Sequence, residues 1–148
     1  MNKADTLKAL ENAKKLHITQ MGKIEVLLGG QMVDNPTAIG KMECECGKLF
    51  YGNKETMLPI LGAQLYERLD KLHEKWHIDY AKIYNIFFKK EEKGFFSKLL
   101  GSNKVNPLEL DKAKLYYAEL NETTKQLLNV ADAATRRVGA LNEAKFKS

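Results

Sequence analysis

The chain has 148 residues, a formal net charge of +5 and 44% hydrophobic residues. That is enough for one domain able to bury roughly 68–70% of its unfolded surface without a disulfide framework. Three Pro and ten Gly exclude a low-complexity chain. No apolar run approaches the ~18 residues of a membrane span, and residues 1–5 lead into an amphipathic pattern, not a signal-peptide core.

A single domain over 1–148 is expected, in the cytoplasm, with no membrane span. Repeat and secreted architectures are not. The two cysteines, Cys44 and Cys46, are two apart. On a helix, such residues point to different faces and pair poorly, so both read as free thiols of a reducing compartment.

Gly and Pro divide the sequence into four segments of helical period. The first, over 4–28, carries Leu7, Leu10, Lys14, His17, Met21, Ile24 and Leu28 at alternating spacings of three and four and ends at Gly29-Gly30. The second, over 36–51, opens on Asn35-Pro36 as N-cap and first helical residue and closes at Gly52-Asn53. The third, over 57–90, has Thr56 as cap and Pro59 in its first turn, with a stripe from Leu61 through Leu69 and Trp76 to Phe87. The fourth opens on Asn106-Pro107-Leu108-Glu109, a capping-box pattern, and keeps its period from Leu110 to Leu141. No segment alternates with period two. The expected fold is all-α, an antiparallel up-down four-helix bundle with a short additional helix or long loop before the last helix.

A fourth helix of about forty residues would be ~60 Å long, against under ~40 Å for the first. Its apolar stripe then needs cover from a second copy, so a homodimer is expected. Residues 89–106 hold five Lys with Phe95, Phe96, Leu99 and Leu100. They read as a short helix folded back on the bundle end, or as an apolar patch in a basic frame that meets a partner.

All three histidines fall on or beside buried stripes. His73 and His77 are one turn apart on one face, so both imidazoles can meet one ion. His17, Cys44 and the pair His73 and His77 each lie near the middle of their segments, which an up-down bundle brings to one level. Three imidazoles and a thiolate suit tetrahedral Zn2+. Four protein ligands leave no open position, which describes a structural or sensory site and no enzyme. Periodicity alone puts Cys46, not Cys44, on the stripe with Ile39, Met42 and Leu49.

His17 with Gly29-Gly30, then Cys44-Glu45-Cys46-Gly47-Lys48-Leu49-Phe50-Tyr51, then His73-Glu74-Lys75-Trp76-His77 resemble the chemoreceptor zinc-binding domain, over roughly residues 10–140. The resemblance makes Cys44 the thiol ligand, with Gly47 fixing the register, and Cys46 a stand-in for an apolar core residue. It implies a cytoplasmic module attached to chemoreceptors, diguanylate cyclases or other signalling proteins, or acting alone. It also implies sensing of zinc, or of oxidants through the ligand Cys. The chain would signal through a partner in trans, as in bacterial chemotaxis or cyclic-di-GMP signalling, with the position of the second helix as the signal.

Two rivals remain. His73-Glu74-Lys75-Trp76-His77 literally matches H-E-x-x-H, a zinc peptidase with Glu74 as general base and a later carboxylate such as Glu91 or Glu92 as third ligand. The other rival is a metal-free helical adaptor. Nucleic-acid binding is not expected, because no recognition module accompanies the mild basic charge.

Overall fold

The computed structural model describes residues 1–33, 39–88 and 105–146. The described residues are all-helical. In chain order they form α1 (Lys3–Leu28), α2 (Glu45–Gly52), α3 (Lys54–Leu61), α4 (Ala63–Phe88) and α5 (Pro107–Ala140), followed by a 3-10 turn at Glu143–Lys145. Neither the expected opening of the second helix at Asn35-Pro36 nor the basic Phe/Leu segment up to Lys104 lies within the described residues.

α1 starts where Asn2 Oδ1 accepts from the Asp5 N–H at 2.7 Å, satisfying one of the helix's orphan donors. It stops at Gly29 and Gly30, the latter at φ 91°. α5 starts as its sequence dictates: Asn106 caps the Glu109 N–H, with Pro107 in the first turn. At 34 residues it is ~51 Å long, shorter than the forty residues expected, because the chain turns extended at Leu141.

Two expectations are corrected. Residues 39–44 are bends and turns, and α2 begins only at Glu45. Cys44 is its N-cap, in extended conformation at ψ 155°. The reason is local: a β-carbon at Gly47 would overlap the Lys41 carbonyl oxygen. The 41–44 turn and the first turn of α2 therefore close on each other only because residue 47 is glycine. The third segment is two helices, not one. Gly62, at φ 83°, breaks it between α3 and α4, in a conformation L side chains resist.

The long helices align by their cross-contacts. Lys3 reaches Leu141 O, Lys14 pairs with Asp132, and Tyr117 donates to Glu25, so α1 and α5 run antiparallel. Trp76 Nε1 donates to Thr124 Oγ1 at 2.9 Å and Arg137 Nε to Ile60 O at 2.8 Å, so α4 also runs opposite to α5. α2 descends along α4, from Cys44 beside His73 to Phe50 stacked on Tyr66. Trp76, Tyr80, Ile24, Met57, Leu61, Ile83, Leu120 and Val138 are buried at the centre of the core between them. Truncating a side chain such as Trp76 there costs about 3–5 kcal/mol.

Candidate metal centre

His73 and His77 project from one face of α4, and His17 meets them from α1. One ring nitrogen of each lies within 4.8 Å of the others. All three are buried, at 6, 4 and 4% exposure for His17, His73 and His77. Trp76 holds the His17 ring edge-on at 4.7 Å between centroids, and its own Nε1 is tied to Thr124, so the wall behind the cluster is fixed. Cys44, also buried, places Sγ 3.3 Å from His73 Nε2. All four residues singled out in the sequence are thus brought to one place.

The outward nitrogen of each ring has its own oxygen. His17 Nδ1 lies 2.7 Å from Ala13 O, one turn back on α1. His77 Nδ1 lies 2.9 Å from Ile39 O, in the bend before α2. Carbonyl oxygens only accept, so both Nδ1 atoms carry the proton. His73 Nδ1 lies 3.3 Å from Tyr51 Oη, which donates to Asp70 Oδ1 at 2.6 Å. The tyrosine proton is committed to Asp70, and His73 Nδ1 must therefore donate. With all three outward nitrogens protonated, the neutral rings turn bare lone pairs inward. His73 Nε2 and His77 Nε2 then face each other at 3.1 Å with no proton between them.

Two bare lone pairs at that distance repel, and either one shared proton or a bound cation relieves them. Two of the separations, 3.1 Å between the His73 and His77 Nε2 atoms and 3.3 Å from His73 Nε2 to Cys44 Sγ, are close to those around a bound ion. With Zn–N near 2.0–2.1 Å and Zn–S near 2.3 Å, a tetrahedron has edges of about 3.3 Å between nitrogens and about 3.6 Å between nitrogen and sulfur. The donors are three neutral imidazoles and a thiol, and each histidine has the outer oxygen partner that metal-bound histidines have. The His-His-His cluster can hold a metal ion.

The electrostatics favour the ligand forms. Burial lowers the His17 pKa to about 4, so the ring stays neutral. The neighbouring Cys46 thiol and the Gly47 N–H hold Cys44 well below the ordinary thiol range, against the penalty of burial. Gly47 N donates to Cys44 Sγ at 3.2 Å, the usual N-cap bond with sulfur as acceptor. Cys46 is pushed up by the neighbouring Cys44 and then by burial.

Tyr51, Asp70 and Lys41 were not expected at the site. Lys41 Nζ pairs with Asp70 at 3.0 Å and with Glu74 at 3.5 Å, tying the 39–44 segment to α4. Asp70 could have been found, since it lies one turn before His73 on the same face; Lys41 leaves no pattern. No protein-family model, curated protein or solved structure matches the chain.

Proposed function

We propose that the chain is a zinc-binding sensory module with a closed site of His17, Cys44, His73 and His77, as its resemblance to chemoreceptor zinc-binding domains implies. One observation carries this reading: three buried imidazoles whose outward nitrogens are all committed to oxygens, and whose inward lone pairs converge beside a thiol. Bound zinc would neutralise those lone pairs and hold the sulfur as a thiolate. The framework we infer is an up-down four-helix bundle whose second arm is α2 and α3 with the turn before them.

The module acts in the cytoplasm and passes its state to a signalling partner of chemoreceptor or cyclase type. The element that moves is the 39–52 stretch, which touches α4 through ligands or their outer partners. Leu108 and Leu115 on α5 are 67 and 69% exposed, and we infer that a second copy covers them. No helix among the described residues is long and apolar enough to cross a membrane.

The peptidase reading fares worse. Glu74 is more than half exposed and pairs with Lys41, whereas a general base would face the metal-bound water. A metal-free adaptor would need a proton shared between the facing His73 and His77 nitrogens, and gives no reason for a third imidazole and a thiol to converge on them.

The test is zinc per chain by mass spectrometry on wild type, Cys44→Ser and Cys46→Ser, purified identically under reducing conditions. About one zinc in wild type, lost in Cys44→Ser and kept in Cys46→Ser, is expected for a single four-ligand site. Zinc absent from reconstituted wild type would overturn the reading.

A further inference from the structure

The sulfur of Cys46 has no place in a His3Cys site, yet Cys46 lines the same crevice as Cys44. The argument from spacing set the two thiols on different helix faces, but it assumed that both are helical. Cys44 is instead the extended N-cap and Cys46 the second residue of α2. Both cysteines line one small crevice. Two residues apart, their Cα atoms cannot exceed ~7 Å, so distance is no bar to a bridge once direction allows one.

The surroundings sort small oxidants from large ones. A crevice of about 40 Å³ has both cysteines, His17, His77, Leu16 and Glu45 on its walls, so it opens onto the candidate metal centre itself. A water needs roughly 10–15 Å³, so a peroxide fits and a glutathione disulfide does not. Leu16 and Glu45 are exposed and form its mouth. A wider groove of about 440 Å³, which shares Leu16 and Glu45 with the crevice and runs along Ala13, Leu49 and Asn53, reaches Cys46 without reaching Cys44. That opening suits a thiol reductant.

We propose that Cys46 is a resolving thiol, which converts peroxide-oxidised Cys44 into a reversible Cys44–Cys46 disulfide. The Cys44 thiolate attacks one oxygen of hydrogen peroxide. The O–O bond breaks, two electrons pass from sulfur to peroxide, and hydroxide leaves and takes up a proton. Cys44 is then a sulfenic acid. The Cys46 sulfur displaces its hydroxyl, an S–S bond forms, and the thiol proton leaves with the hydroxyl as water. Neither sulfur is then a thiolate donor, and a dithiol reductant restores both. The consequence for metal rests on the reading of Cys44 as a ligand; the chemistry of the pair does not.

The experiment treats the full chain with hydrogen peroxide and follows intact mass, peptide mass and metal release, before and after dithiothreitol. Wild type is expected to lose two hydrogens, yield a peptide bridged between Cys44 and Cys46, release its zinc and regain it on reduction. Cys46→Ser, and Cys46→Ala beside it, should gain two or three oxygens on Cys44 and not recover, because nothing intercepts the sulfenic acid. Zinc content and circular dichroism before oxidation establish that the variants are folded. Oxygens on Cys44 with Cys46 still free in wild type would overturn the proposal, as would equal recovery in Cys46→Ser. If the untreated chain binds no zinc, the metal reading falls, and bridge formation still decides the role of Cys46.

Discussion

Tyr51 shows how a residue that touches no metal can decide whether one binds. Its hydroxyl accepts from His73 Nδ1 and donates to Asp70, which Lys41 also holds. Removing the hydroxyl frees His73 to take the other tautomer and put a proton where the ion belongs. Tyr51→Phe should weaken zinc binding about 10–100-fold, as loss of an outer partner does elsewhere, while His17 and His77 keep Ala13 O and Ile39 O. Competition against a chromophoric chelator reads this directly, and an unchanged affinity would show that packing alone orients His73. The four candidate ligands were legible because His and Cys are rare here and fell at one level. Tyr51, Asp70 and Lys41 act through tertiary hydrogen bonds, and backbone oxygens such as Ala13 O and Ile39 O have no side-chain signature. Periodicity pointed to Cys46 for a definite reason: it carried a helical phase from Ile39 through residues 39–44, which are bends and turns.

Helix starts and stops were readable where a side chain makes them. Asn106 caps as expected, whereas Thr56 lies inside α3, whose N-cap is Asn53. The break at Gly62 and the late start of α2 were missed for different reasons. The leucine stripe runs across Gly62 without losing phase, from Leu58 and Leu61 to Leu65 and Leu69, and only the positive φ ends the helix. At Gly47 the demand comes from Lys41, six residues away, whose carbonyl needs the space of a missing side chain. The resulting 39–44 turn is pinned at Ile39 by His77, at Lys41 by Asp70 and Glu74, and at Cys44 by His73. It has little core of its own, so it is drawn from the low-stability end of the fold. Amide hydrogen exchange across residues 39–52 should slow on zinc binding, while α5, anchored by Leu120, Val130 and Val138, changes little. Equal exchange in metal-free and zinc-loaded chains would remove this stretch as the signal.

At the scale of the whole molecule, tyrosines set the response to alkali. Burial, and then Glu25, push Tyr117 up to about 12. Burial also raises Tyr51, with Asp70 adding to it, and Tyr66, whose buried hydroxyl has no hydrogen-bond partner. A phenol whose pKa is raised on folding keeps its proton in the native chain, while the unfolded chain gives it up near ~10. The unfolded state then binds fewer protons, so stability falls as pH rises. The contribution is complete below about 10 and, for Tyr117, is lost towards 12. On the acid side, burial pushes Asp70 up, but hydrogen bonds from Tyr51 and Lys41 outweigh it and hold the carboxyl below its ordinary 3.8. Stability from that network is present above this value and is lost as the carboxyl protonates. Thermal unfolding should therefore vary little from pH 7 to 9 and drop steeply above 10. Tyr117→Phe should flatten that drop while leaving the plateau nearly in place, because the Tyr117–Glu25 bond lies at the exposed rim between α1 and α5. Ultraviolet titration of the folded chain separates the causes. Phenols that ionise together at the ordinary value, with the alkaline loss unchanged in Tyr117→Phe, would assign that loss to other groups and leave the α1–α5 seam without a role in it.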